Sequence, residues 1–77
     1  MIEEHASVVL TESLPAVGLE AGDVGVVVHV HQNGRAYEVE FMTLDGNTLS
    51  VETLAATQIR AARNRDIPHV RERTVTV

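Results

Sequence analysis

His29 and His31 stand two residues apart in the run "GDVGVVVHVHQNGRAYEVEF", Gly22 to Phe41, and Glu38 follows beyond the turn signal "QNGR". Two imidazoles and a carboxylate are the protein ligands of one class of catalytic zinc site. Alternate residues of a strand share a face, so His29 and His31 would offer both rings to one ion, with Glu38 reaching it across a hairpin. The plainer reading is a solvated strand face with a His29–Glu38 cross-strand pair, worth about 0.2–1 kcal/mol. A lone H-x-H lacks the longer spacing that makes metal motifs specific. We take the plainer reading, so no metal and no cofactor is expected, and weak metal binding through His29 and His31 stands as an alternative.

Other chemistry is thinner. Without cysteine, a nucleophile would have to be Ser7, Ser13, Ser50 or a threonine, and none sits in a G-x-S-x-G turn. Glu38 and Glu40 share a strand face and imitate an acid/base pair. An acidic strip explains them equally well, and hydrolysis needs a deep pocket that a small barrel rarely encloses. No catalytic residue is assigned and no enzyme is expected.

The elements that position these residues come from a short chain. Seventy-seven residues make one small domain, which buries only about 60% of its unfolded surface and so has a thin core. No disulfide or thiolate site can staple it. Compact packing, self-association or a bound partner must serve instead. The opening "MIEEHASVVL" is acidic where a signal peptide is basic, and no apolar run approaches the roughly 20 residues of a membrane helix; a cytoplasmic protein with no membrane partner is expected.

Breakers divide the chain into short apolar pieces. "HASVVLT" reads as a strand, and "ESLPAVGLEAGD" as a long loop whose Leu14, Val17 and Leu19 fold back to cap the core. Asn33-Gly34 is a strong hairpin signal because its two-residue turn needs positive φ at both positions. Centred there, Val30, Val28 and Val26 oppose Tyr37, Val39 and Phe41 on the buried face, and both histidines turn outward. In "FMTLDGNTLSVETL" a three-residue loop, Asp45 to Asn47, places Phe41 against Val51 and Thr43 against Leu49. A helical turn near Leu54–Thr57, a strand through Ile59 and a further alternating strand in "IPHVRERTVTV" complete the chain. Five short strands, a long first loop and a one-turn helix describe an all-β, SH3-like five-stranded barrel. Residues 1–65 form the barrel domain and residues 66–77 a C-terminal extra strand or tail.

Two stretches carry a resemblance. "AGDVGVVVHV" is similar to the KOW-type opening of small barrels. "VVLTESLPAVGLEAGDVGVVVHVHQNGRAYEVEF" with "TLAATQIR" resembles a small bacterial family of domains of unknown function that shares V-V-L-T-x-x-L-P, G-L-x-x-G-D-x-G-x-V-V and Y-x-V-E-F. The likeness runs from about His5 to Arg60 and implies a fold without catalytic residues to carry over. Members of that family are short proteins associated with toxin-like neighbours, which implies an antitoxin or immunity role. The KOW likeness implies RNA binding.

Charge bears on that choice. Residues 1–59 hold nine acidic side chains against Arg35 alone, whereas residues 60–77 hold five arginines against Asp66 and Glu72. Arg60, Arg63, Arg65, Arg71 and Arg73 would neutralise phosphates, but the net charge is −5, with one phenylalanine, one tyrosine and no tryptophan for base stacking. A tail folded back on its own acidic barrel accounts for the asymmetry more simply. The reading is therefore a non-enzymatic protein-binding module, with nucleic acid less favoured. His29, His31 and Glu38, and Arg60, Arg63, Arg65, His69, Arg71 and Arg73, are its candidate contacts. A protein partner, or a second copy engaging the C-terminal strand, is the expected occupant.

Overall fold

The computed structural model describes residues 1–72. Its strands are β1 (Ser7–Leu10), β2 (Val24–His31), β3 (Ala36–Met42), β4 (Thr48–Ala55) and β5 (Ile59–Ala61). They form one antiparallel sheet in the order β4-β3-β2-β1-β5. A long β1–β2 loop with a 3-10 turn at Pro15–Val17, and a second 3-10 turn at Ala56–Gln58 just before β5, complete the expected SH3-like arrangement. Among the described residues, no helix is long and apolar enough to cross a membrane.

The inner face carries Val8, Leu10, Val27, Tyr37, Val39, Phe41, Leu54 and Ile59, and the long loop adds Leu19. Leu14 and Val17 pack against this cluster from the same loop, capping it as their apolarity requires. Tyr37 keeps its ring inside, and its hydroxyl accepts a hydrogen bond from the Ile2 N–H at 3.1 Å. That bond seals the far end with the N-terminal segment. Gly25 faces inward on β2; a Cβ there would lie 2.5 Å from Val39 Cγ1 and 2.9 Å from the Glu40 carbonyl oxygen. The missing side chain is what lets β3 cross so closely.

The first hairpin turns at the expected place, with φ of 56° at Asn33 and 93° at Gly34. Val30 opposes Tyr37, and His29 opposes Glu38. Beyond His29 the uniform register fails. A bulge between Val27 and His29 brings Val27, not Val28, opposite Val39 and sets Val26 opposite Glu40. One extra residue reverses the side-chain alternation of everything before it. Val27 is therefore fully buried while Val28 is 36% exposed. Gly25 gains from this: the shift moves it to the crowded inner face, where only glycine fits.

The second hairpin also departs from expectation. The Thr43 N–H donates to the Asn47 carbonyl at 3.0 Å, so the loop is Leu44–Gly46, one residue earlier than Asp45–Asn47. The Asp45 carboxylate accepts from Thr43 Oγ1 and from Asn47 Nδ2, a side-chain clamp that holds the turn there. A bulge next to Phe41 then pairs it with Ser50, and Glu40 with Val51. Val51 is turned outward and 51% exposed, while Ser50 Oγ is buried with no hydrogen-bond partner.

After β5 the Ala62 N–H donates to the Ser7 carbonyl, and a turn follows in which the Asp66 N–H donates to the Arg63 carbonyl. The strand expected after Pro68 is not formed over residues 67–72. Pro68 brings no backbone donor, and the segment is held by side chains instead. The remainder of that expected strand, residues 73–77, lies outside the described residues.

Candidate functional site

β2 and the loop before it position four of the candidate residues, His29 and His31 on the strand and His69 and Arg71 at Asp23. At the hairpin end His29 and His31 point outward, their side chains 53% and 35% exposed. The ring centroids are 4.4 Å apart at an interplanar angle of 71°, an edge-to-face contact. His29 Nδ1 lies 3.8 Å from Glu4 Oε1, and His31 Nε2 lies 3.5 Å from Glu38 Oε1. The expected His29–Glu38 side-chain pair is thus replaced: strand twist sends Glu38 to the diagonal neighbour, and the N-terminal segment supplies a carboxylate to His29. The two rings face separate carboxylates, and among the described residues no three histidine or acidic side chains converge on a metal position.

At the other end of β2, Asp23 closes the long loop. Its Oδ2 accepts the Glu20 N–H at 2.8 Å, which shapes the turn into the strand. The C-terminal segment returns to this carboxylate. Arg71 Nε donates to Oδ1 at 2.9 Å, and Nη2 donates to Oδ2 at 2.6 Å, a bidentate fork. The same Nη2 donates to the Gly18 carbonyl at 2.8 Å, and Nη1 lies 3.1 Å from Glu20 Oε2. His69 Nε2 sits 3.2 Å from Asp23 Oδ1. Its ring lies against Gly22, where a Cβ would come within 3.3 Å of Nδ1 and φ is 97°, so glycine serves both the turn and the ring. The Asp23 side chain is only 12% exposed. Burial pushes its carboxyl up, but the Arg71 fork, the Glu20 N–H and the nearby positive charges outweigh burial and hold it below the usual carboxylate value.

Arg60 forks onto Asp66 instead, at 2.9 and 3.0 Å. Asp66 also accepts the Arg63 N–H at 2.6 Å. The Arg60 hydrogen bond, then the Arg63 N–H, lower its pKa to about 2. Arg63 and Arg65 are exposed, and Arg73 lies outside the described residues. The candidates therefore fall into three groups: His29, His31 and Glu38 at the hairpin; His69 and Arg71 on Asp23; and Arg60 on Asp66. The first two groups sit at opposite ends of β2, about 20 Å apart at 3.3 Å per strand residue. Glu4, Glu20, Asp23 and the Gly18 carbonyl are binding groups that lie outside the sequence candidates. For Glu20, Asp23 and the Gly18 carbonyl the signal is the acidic "GLEAGD" beside an arginine-rich C-terminal segment; Glu4 has none.

The outer face of the sheet links these groups. One row across it reads Ser7, Val26, Glu40, Val51. Val24 and Met42 stand two residues along the same face of β2 and β3, 44% and 45% exposed. Val9, opposite Val24, lies on this face too. There the C-terminal segment roofs a groove of about 330 Å³ lined by Val9, Val24, Ala62, Ile67, Pro68 and His69 among others.

Compared with known proteins, residues 4–61 match the family model described as a domain of unknown function, DUF4926. No curated protein and no solved structure matches the chain.

Proposed function

We propose a non-enzymatic, protein-binding role for this chain, which belongs to the DUF4926 family of domains of unknown function. The observation that carries the proposal is the outer sheet face. It exposes Val24, Met42 and Val51 around Glu40 on a body with nine acidic side chains and one basic one before residue 60. Exposed aliphatics bordered by carboxylates fit the surface of a basic, partly apolar protein. The burial supplies affinity and the charge speeds encounter. An antitoxin or immunity protein covering a basic target is the biological form this reading takes. RNA binding is less well supported, because Arg60 and Arg71 already fork onto carboxylates of this chain.

The test uses the full chain immobilised in an extract of the cells that make it, alongside the doubly substituted Met42→Asp/Val51→Asp protein. Both side chains are exposed, so the variant should keep its far-UV spectrum. The reading expects a stoichiometric protein retained by the wild type and lost by the variant. Retention by both, by neither, or of nuclease-sensitive material alone would overturn it.

A further inference from the structure

We infer that the Gly18–Asp23 turn is a receptor for an arginine carried on an extended peptide segment, and that the chain's own Arg71 is its resident, exchangeable occupant. The inference rests on the protein-binding reading and names the chemistry of the partner: an extended segment bearing an arginine with apolar neighbours.

The site has the features of a guanidinium receptor. A planar fork needs a carboxylate presented edge-on, and Asp23 offers both oxygens to Nε and Nη2. The remaining donors find the Gly18 carbonyl and the Glu20 carboxylate. A lysine ammonium has three donors but no planar fork, so it cannot pair both Asp23 oxygens edge-on. Asp23 is held in place independently of its occupant by the Glu20 N–H, so the receptor is shaped by the loop and not by Arg71. The groove beside it, with Val9 and Val24 on its floor, gives the neighbours of the arginine an apolar bed.

The occupant is attached in a way that suits exchange. Residues 67–72 form no strand. Ile67 and Val70 are 90% and 76% exposed, so little apolar area goes with the arginine into the site. The Ala21 N–H donates to Ser13 Oγ and the Gly22 N–H to the Leu10 carbonyl, so the loop stays anchored without the segment. Removing the segment would open the groove over Val9 and expose Val24, already 44% exposed, further; both continue the outer face through Val26 to Val51. A partner arginine arriving on an extended segment would therefore displace Arg71 and widen the apolar surface in one step.

The probe is the capped hexapeptide Ile-Pro-His-Val-Arg-Glu, identical to residues 67–72, with companions carrying Lys or Gln in place of its arginine. Full-length Arg71→Ala is titrated and followed by amide NMR. A tethered segment competes at an effective concentration C of about 1 mM, so a peptide that binds the vacated site at about 0.1 mM should bind the wild type about tenfold more weakly, by the factor 1 + C/Kd. The Glu20, Gly22 and Asp23 amides should move, the Lys peptide should bind more weakly and the Gln peptide not at all. Wild-type protein gives an arm that needs no variant: the Arg71 Nε–H resonance should shift to its free position as the peptide is added. No movement in either protein up to about 10 mM, the weak end of measurable affinity, would overturn the inference, as would equal binding of the Gln peptide. The peptide titration reads the Asp23 turn and the extract experiment reads the outer face, so the receptor and the outer-face proposal fail separately.

Discussion

Val27 and Val28 are adjacent, chemically identical and placed by the β2 bulge in opposite environments, so the pair tests the architecture directly. Val27 is fully buried and Val28 is 36% exposed. Truncating Val27 to alanine removes two methyl groups' worth of buried surface, about 1.6 kcal/mol at roughly 0.8 kcal/mol per carbon. A residual cavity of about 50 Å³ adds about 1.2 kcal/mol at 24 cal/mol per Å³. Val27→Ala should therefore destabilise the domain by about 2–3 kcal/mol. Val28→Ala loses strand preference and some partial packing, and should cost less than about 1 kcal/mol. Urea unfolding followed by circular dichroism reads the difference as a shift in midpoint at constant slope. In a domain this small, the Val27 variant should also melt roughly 10 °C or more below wild type. An uninterrupted register from the Asn33-Gly34 turn predicts the reverse order. If Val28→Ala proves as damaging as Val27→Ala, the bulge is wrong, and with it the outward placement of Val26 that the outer face depends on.

Ser50→Ala removes a buried hydroxyl that has no hydrogen-bond partner, so stability should stay level or rise by up to about 1 kcal/mol in the same urea assay; a loss larger than that would mean the hydroxyl is paired. Asp66 has its pKa depressed from 3.8 to about 2, so its ionised form favours the folded state. That contribution is fully present above the unfolded value near 3.8 and is lost as pH falls through about 2. The Asp66 carboxyl resonance in an acid titration of the folded protein should show its midpoint near 2, and a midpoint near 3.8 would remove the Arg60 fork.

The alternation on β3 and the first turn were legible in the sequence; the second loop and the bulges were not. Asn33-Gly34 announces a turn because few other pairs tolerate positive φ at both positions, and the Tyr37, Val39 and Phe41 alternation on β3 needs no correction. A bulge leaves no such mark in a run of valines. Val26, Val27 and Val28 are interchangeable by type, so nothing in their identities says which is the extra residue. The clue was Gly25, whose lack of a side chain makes sense on a crowded inner face and little sense on an open outer one. In β4 the misplaced loop has a similar cause: Asp45 clamps Thr43 and Asn47, and a side-chain preference of that kind competes with the hydrophobic pattern. Strand alternation places both histidines outward but does not give the partner of His29, because Glu4 comes from a segment with no strand pattern.

The clasp on Asp23 changes what the charge asymmetry of the chain means. Five arginines in residues 60–77 read, as a list, like a phosphate-binding tail. Each phosphate neutralised steepens the salt dependence of binding by about 0.7 for a single strand, so the guanidiniums available set the strength of any such role. Arg60 and Arg71 each face a carboxylate with both arms of the fork engaged, and releasing either to a phosphate would leave Asp66 or Asp23 without its counter-charge. For Asp23, which is 12% exposed, that exchange is the more unfavourable. A second guanidinium has no such penalty, because it restores to Asp23 the pairing it loses. The same geometry that weakens the case for nucleic acid thus favours an arginine-bearing protein segment as the group that can replace Arg71.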